Sequence, residues 1–218
     1  MSQRETYPTV SQPARIELIE RKSRFIADCR PLADESEALA FIRGIRDEFP
    51  DATHHVYAWI LGGDNQLQRY SDDGEPQGTA GLPVLDVLRK PGIEQAGIVV
   101  TRYFGGVLLG TGGLVHAYGE AAARAMQAAS PIVRQRCERI RLTLDYRDLD
   151  RVRHRLGQAG FLLEPAVFGL DAELSVGAPA ARLQELIDLC NDLTSGGVLI
   201  EPLDSAYVTL GPLAEAKA

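Results

Sequence analysis

Residues 97–129 read GIVVTRYFGGVLLGTGGLVHAYGEAAARAMQAA, and this stretch decides the fold of the first half of the chain. It opens with the apolar run Gly97–Thr101, which predicts a central strand buried on both faces because no charged residue interrupts it. A glycine-rich loop follows, and an alanine-rich helix is predicted from about Leu114 to Ala129. Small side chains let such a helix lie close to a sheet, so the stretch predicts an α/β domain.

Amphipathic patterns predict further elements before this stretch. Asp34 is the expected N-cap of a helix that buries Ile42 and Ile45, whose spacing fits one helical face. The segment 54–61 reads HHVYAWIL and predicts a strand. Neighbouring residues of a strand point to opposite faces, so one face carries alternate residues. That face holds His55, Tyr57 and Trp59.

The second half of the chain predicts a separate domain with the element order βαββαβ, which is the ferredoxin-like layout. A linker is expected at residues 130–135. The predicted strands of this second domain alternate apolar and polar residues, and two of these strands surround Gly169. The predicted domains are residues 1–134 and residues 135–218, and the fold class is α+β.

Composition restricts the class of protein. The 218 residues carry a net charge of −7, which counts against tight nonspecific binding of free nucleic acid. No stretch approaches the ~20 apolar residues of a membrane helix, and the first residues lack the apolar core of a secretory signal. The three scattered cysteines suit a reducing compartment. We therefore expect a cytoplasmic protein with no membrane attachment.

Two loops carry the residues that could perform chemistry. The first, residues 72–81, places Asp72, Asp73 and Glu75 within four positions. These carboxylates could hold Mg²⁺ or attract a basic partner. The alternative is turn chemistry with an ion pair to Arg102 or Arg69.

The second loop, residues 102–113, is rich in glycine. Glycine allows positive φ and close approach of a ligand, and the start of the following helix could attract a phosphate. The alternative is a tight crossover packed on the sheet. No standard nucleotide-binding motif is present. Both loops precede helices and flank one central strand, so we expect them to form a single cleft.

The aromatic stripe of the strand 54–61 allows two interpretations. If the face with His55, Tyr57 and Trp59 is open to solvent, it offers a stacking surface for unpaired bases of RNA. If a helix covers it, the same residues belong to the core.

Two long motifs, YSDDGEPQGTAGLPVLDVL and VVTRYFGGVLLGTGGLVHAYG, resemble the IMPACT family in its bacterial YigZ-like branch. The resemblance runs from roughly residue 15 to residue 208. It implies a first domain similar to domain 2 of ribosomal protein S5, a fold shared with translation factors and GHMP-type kinases. It also implies a ferredoxin-like second domain similar to one of elongation factor G. Eukaryotic members of this family regulate translation.

The resemblance and the residue patterns together favour a non-enzymatic binding protein linked to translation. The expected partner is RNA, the ribosome or a ribosome-associated protein, and no cofactor or metal is expected. The alternatives are a nucleotide- and Mg²⁺-dependent enzyme on the GHMP-like fold and a pure protein-interaction adaptor. The candidate binding residues are Asp72, Asp73, Glu75, Gly78, Thr79, Arg102, Tyr103, Gly105, Gly106, Gly110, Gly112, Gly113, His55, Tyr57 and Trp59.

Overall fold

Alternating apolar residues produce an antiparallel sheet in the first part of the chain. A computed structural model describes residues 5–62 and 66–213. Up to residue 128 its elements are β1 (Thr6–Val10), β2 (Ala14–Glu20), β3 (Ser23–Pro31), α1 (Glu35–Glu48), β4 (His54–Leu61), β5 (Leu67–Ser71), α2 (Gly81–Arg89), β6 (Ala96–Tyr103) and α3 (Gly110–Ala128). Five of the strands form a sheet of order β2-β3-β6-β4-β5. The predicted central strand, β6, does occupy the middle of this sheet.

Helices cover both faces of the five-stranded sheet. One face packs against α2 and α3 around Phe25, Leu85 and Tyr118. The other packs against α1, whose Ile42 and Ile45 are buried as predicted. The Asp34 carboxylate accepts a hydrogen bond from the Glu37 N–H and caps α1. Four alanines of α3, namely Ala117, Ala121, Ala122 and Ala125, are fully buried, which confirms the expected close approach of this helix to the sheet.

Two predicted boundaries differ from the structure. Helix α3 begins at Gly110 instead of Leu114. Glycine is a poor helix former, which made these residues resemble a loop, but burial of Leu109 and Leu114 fixes the first turn on the sheet. Residues 130–135, expected to be a linker, instead include the start of a long strand, β7 (Pro131–Leu144).

The second part of the chain forms its own core. After β7 it contains α4 (Tyr146–Gln158), β8 (Leu162–Leu163), β9 (Val167–Phe168), β10 (Ala172–Ala178), a 3₁₀ turn (Ala180–Arg182), α5 (Leu183–Thr194) and β11 (Leu199–Pro212). β7 pairs with both β10 and β11, and the short strands β8 and β9 both pair with β10. The predicted strand before Gly169 is therefore broken into two short pieces. Leu156, Leu174 and Leu186 are buried at the centre of this core.

The chain divides into two compact units, and the first of them is formed by two separate stretches of the sequence. The first runs to Arg134 and also takes in the residues from Leu210 on, and the second is Gln135–Thr209. The N–H of Leu213 donates to the Pro131 carbonyl at 3.0 Å. The predicted boundaries of the second domain, residues 135–218, differ from this division, because the described residues from Leu210 to Leu213 belong to the first unit. The whole has mixed α+β architecture with antiparallel sheets, in agreement with the predicted class.

Two general expectations can be compared with this architecture. All three cysteines are buried and free of disulfide bonds, and burial raises the pKa of Cys29 to about 12 and that of Cys190 to about 11. Within the described residues, none of the helices is long and apolar enough to cross a membrane.

Candidate functional site

Asp72 closes the first loop on itself. Its carboxylate accepts hydrogen bonds from the N–H groups of Gly78 (2.9 Å), Ala80 (3.1 Å) and Gly81 (2.8 Å). Since the first N–H groups of a helix have no partner within the helix, Asp72 satisfies the start of α2. The Thr79 hydroxyl supports the same turn by donating to the Pro76 carbonyl at 2.7 Å. The role of Asp72 is therefore turn chemistry.

Asp73 fixes the loop to its neighbours in the fold. It adopts positive φ (46°), and its carboxylate accepts from the His55 N–H at 2.6 Å and from Arg46 at 2.7 Å. Its carbonyl lies 2.8 Å from Nδ1 of His54. A carbonyl only accepts, so Nδ1 of His54 carries the proton in this contact. Asp73 thereby holds the loop against the start of β4 and the last turn of α1.

Glu75 and Arg102 form a buried ion pair that joins the two loops. Nη1 of Arg102 donates to Oε1 of Glu75 at 2.6 Å, and the side chains are only 6% and 4% exposed. The Tyr118 hydroxyl donates to the same oxygen at 2.7 Å. Burial and this hydrogen bond raise the pKa of Tyr118 above its usual value. A charge pair at this depth is stable only when both partners are present and well oriented.

Arg102 is held on several sides. Its Nη2 donates to the Ser23 hydroxyl at 3.2 Å, and its guanidinium lies 5.5 Å from the ring centroids of both Phe25 and Phe104. Its Nε is buried without a hydrogen-bond partner. The neighbouring Tyr103 points elsewhere, since its hydroxyl donates to Asp51 at 2.9 Å.

The glycines of the second loop serve different purposes. A Cβ on Gly105 would lie 2.1 Å from the carbonyl carbon and oxygen of Lys22, so the close backbone approach requires glycine there. Gly106 and Gly110 have positive φ, of 80° and 71°. Gly112 and Gly113 lie in the first turn of α3. The tight crossover, which was the alternative to ligand binding for this loop, is present at Gly105, and most of the residues from Gly106 to Gly110 are exposed.

The two loops line one pocket of about 460 Å³. Glu75 and Pro76 come from the first loop, residues 72–81, whereas Arg102 and Gly110 come from the second loop, residues 102–113. The expectation of a single cleft is confirmed for these residues. The walls are mainly apolar, and they include Phe104, Leu108, Leu109 and Leu114.

The aromatic stripe of β4 is not an open surface. Trp59 is only 3% exposed and packs in the core beneath α1, and His55 is buried with its Nε2 3.0 Å from the Phe49 carbonyl. Tyr57 packs against the same cluster. The stacking interpretation is therefore wrong, because the apolar face of α1 covers this side of the sheet.

Sequence reasoning missed several residues of the pocket. His54 lines it, because alternation turns His54 away from the face that His55 occupies. Phe104 and Leu108, which line the pocket, were also missed, as was Tyr118, which does not line it but donates to Glu75. The run of apolar residues in the glycine-rich loop was a pattern that pointed to Phe104 and Leu108, whereas no pattern in the sequence links Tyr118 to Glu75. In the part of the chain that the structure describes, no cluster of three His, Cys, Asp or Glu residues is arranged to hold a metal ion.

Comparison with known proteins identifies the family. The Impact N-terminal domain matches residues 21–126, and a domain of unknown function, DUF1949, matches residues 142–196. The IMPACT family member YvyE of Bacillus subtilis is 33% identical over 203 residues, covering 93% of this chain and 94% of that protein. The chain belongs to the IMPACT family.

Other comparisons extend over most of this IMPACT family member. The IMPACT family member YigZ of Escherichia coli is 37% identical over 180 residues, covering 82% of this chain and 88% of that protein. A crystal structure titled as a hypothetical protein is 33% identical, with a TM-score of 0.60, and covers 92% of this chain and 98% of that one. The Impact N-terminal match contains every residue of the pocket.

Proposed function

We propose that this IMPACT family member is a non-enzymatic binding protein of the cytoplasm that acts in translation. In this proposal it holds a protein component of the ribosome, or a ribosome-associated protein, at the pocket between the two loops. The second unit has the order β7-α4-β8-β9-β10-α5-β11, which matches βαββαβ when the short strands β8 and β9 count as one broken strand, and this supports a ferredoxin-like fold. The layout of the first unit is compatible with a fold like domain 2 of ribosomal protein S5.

The exposed apolar rim of the pocket carries the proposal. Leu108 is 82% exposed and Phe104 is 47% exposed, and the partly exposed Val107 lies between them in sequence. Large apolar side chains grouped at the mouth of a pocket are typical of a protein-interaction site. A net charge of −7 and a buried Trp59 argue against RNA as the direct ligand of this unit.

The engagement of the motif carboxylates supports the non-enzymatic part of the proposal. Asp72 is occupied by backbone N–H groups, Asp73 by Arg46 and Glu75 by Arg102 and Tyr118. A divalent cation at this loop would have to displace protein donors from carboxylates that already hold the fold. Their arrangement therefore favours a structural role over Mg²⁺-dependent catalysis.

Co-sedimentation with ribosomes tests the proposal. We expect the wild-type protein to sediment with the ribosomal fraction and Leu108→Asp to stay at the top of the gradient. Leu170→Asp is the matched control, because Leu170 is a fully exposed leucine of the second unit. Both variants should keep the wild-type melting temperature, since neither leucine lies in a core.

Two results would contradict the proposal. One is wild-type protein that never enters the ribosomal fraction, and the other is equal sedimentation of both leucine variants with the wild type. Tight binding of naked ribosomal RNA that survives Leu108→Asp would show that RNA is the ligand and that the apolar rim is not the site.

A further inference from the structure

Strand β2 (Ala14–Glu20) forms one edge of the five-stranded sheet. It pairs with β3 alone among the described residues, and its backbone groups form no other hydrogen bond in that part of the chain. Its seven residues include no proline, glycine or lysine, and its register with β3 runs without a bulge. Natural proteins often block a sheet edge with such residues or bulges, because an open edge invites pairing with another chain. The edge of β2 is therefore free to add a strand.

The turn between β2 and β3 determines which backbone groups of β2 face outward. Arg21 and Lys22 both have positive φ, of 45° and 70°, as in the type I′ turn of a two-residue hairpin loop. In such a hairpin Glu20 and Ser23 form a hydrogen-bonded pair, and hydrogen-bonded and non-hydrogen-bonded pairs alternate along the strands. Every second residue of β2 therefore directs its N–H and carbonyl groups away from β3. These residues are Arg15, Glu17 and Ile19.

The two faces of β2 differ in chemical character. The face toward α3 carries apolar side chains that pack against the core but remain partly exposed at the open edge. They are Ala14, Ile16 and Leu18. The opposite face carries Arg15 and Glu17, whose side chains are 41% and 45% exposed although each already has an ion-pair partner. A strand that completes this edge therefore has to offer apolar groups on one face and both signs of charge on the other.

A second copy of β2 meets both requirements. When two antiparallel strands are related by a two-fold axis perpendicular to the sheet, residues of the same face lie opposite each other. With the axis at Ile16, Arg15 lies opposite the second copy's Glu17, and the same pair recurs on the other side of the axis. On the apolar face, Ile16 lies opposite its own copy and Ala14 lies opposite the second copy's Leu18. Opposite charges directly across two strands stabilise a sheet, and the apolar pairs cover surface that each edge leaves exposed.

The charges of β2 select this register over its neighbours. An axis at Glu17 sets two carboxylates opposite each other, and an axis at Arg15 sets two guanidinium groups opposite each other. Like charges directly opposite destabilise the pairing. An axis at Leu18 places Glu17 opposite the second copy's Ile19 and forms no pair of opposite charges within β2. The axis at Ile16 is thus the register in which the charges complement one another.

We propose that two copies of this chain associate through β2, in antiparallel register about Ile16, and form one continuous sheet. This surface is separate from the pocket between the two loops, since none of the described residues that line the pocket belongs to β2. The inference therefore goes beyond the proposed function and does not depend on it.

Disulfide cross-linking tests the register. Ile16 and its copy form a non-hydrogen-bonded pair, whose Cα atoms lie about 4.5 Å apart, within the range of a disulfide bond. Ile16→Cys should therefore form a covalent dimer under oxidised glutathione, detected on a non-reducing gel. Leu18→Cys is the matched control, because residue 18 lies on the same face but opposite the second copy's Ala14. The three native cysteines are buried and do not compete.

Charge reversal tests the same contact without a cysteine. Sedimentation velocity from about 1 to about 200 μM protein should show a wild-type dimer. Glu17→Arg sets an arginine against the second copy's Arg15 twice, so the dissociation constant of the dimer should rise at least about tenfold. Arg24→Gln is the control, because it removes the ion pair that Glu17 makes within one copy. Arg24→Gln should not weaken the dimer, and Leu108→Asp should also leave it intact.

Three results would overturn the inference. They are a wild-type protein that stays monomeric over this range, a dimer that survives Glu17→Arg, and cross-linking of Leu18→Cys as fast as that of Ile16→Cys. A monomer whose β2 amides gain protection from hydrogen exchange only with added ribosomes would show instead that a strand of another protein pairs with this edge.

Discussion

The two loops of the pocket enter their helices in opposite ways. At α2, Asp72 accepts hydrogen bonds from the N–H groups of Ala80 and Gly81 at the helix start, and from Gly78 in the loop before it. At α3, no side chain caps the helix and the loop before it exposes Leu108 to solvent. The difference indicates that the acidic loop builds the site, while the glycine-rich loop leaves groups available to a partner.

The largest expected effect comes from the ion pair that joins the loops. Arg102→Ala leaves the Glu75 carboxylate buried without its cation, so we expect the free energy of unfolding to fall by about 3–5 kcal/mol. Urea denaturation measures this loss. The exposed pair of Arg124 and Glu120 gives the control, since Arg124→Ala should cost less than about 1 kcal/mol.

A double variant sharpens the same prediction. Glu75→Gln combined with Arg102→Met removes both charges. Its loss of unfolding free energy should be smaller than the sum of the losses measured for Glu75→Gln alone and for Arg102→Met alone. Additive losses would show that the two side chains do not act as a pair.

The next effect tests whether the acidic loop is structural. Asp72→Ala removes the acceptor of the Ala80 and Gly81 N–H groups at the start of α2 and of the Gly78 N–H in the loop before it, and we expect a loss of about 2 kcal/mol. Asp34→Ala at the start of α1 is the comparison, because Asp34 accepts a single backbone N–H there; it should cost about 1 kcal/mol. A loss at Asp72 no larger than that at Asp34 would argue against the proposed contrast between α2 and α3.

Tyr118 adds a dependence on pH. Its pKa in the folded protein is raised by burial and by Glu75, whereas the unfolded chain has the ordinary value of about 10. The stability that it contributes is therefore complete below that pH and is lost as the pH rises above it. Between pH 9 and 11, wild-type stability should fall more steeply than that of Tyr118→Phe, by up to about 1.4 kcal/mol per pH unit. Parallel profiles from urea denaturation would contradict this assignment.

The smallest expected effect is no effect. ATP or GTP with Mg²⁺ at millimolar concentration should leave the melting temperature unchanged. The glycine-rich loop, residues 102–113, contains one basic side chain, Arg102, and Glu75 already pairs with it, so no cation remains for a polyphosphate. An enzyme that uses nucleotide would gain about 2.7 kcal/mol at a hundredfold excess over its dissociation constant. A clear shift that disappears in Asp73→Asn would refute the binding role proposed for the pocket.

Local patterns made part of this site predictable. The two loops, the central strand between them and their shared cleft follow from apolar runs and glycine positions. An ion pair between the acidic loop and Arg102 was one of two interpretations. The choice of Glu75 as its partner was not predictable, because three carboxylates stand within four residues and the positive φ of Asp73 decides their directions.

Contacts between distant residues were beyond the sequence pattern. Tyr118 and Ser23 lie 43 and 79 residues from the groups they bond, and no periodicity relates them. Trp59 was ambiguous for a different reason. An alternating strand shows which residues share a face, but whether α1 covers that face depends on tertiary packing.

The bond between Leu213 and Pro131 has a consequence for the order of synthesis. All residues that line the pocket precede residue 119, so the ribosome synthesises them long before it reaches Leu213, which belongs to the first unit. Because domains fold as their residues emerge, the pocket can assemble early. The hydrogen bond to Pro131 cannot form until Leu213 has been synthesised, 82 residues after Pro131. The nascent chain thus passes through a stage in which its binding site exists and its first unit is still incomplete.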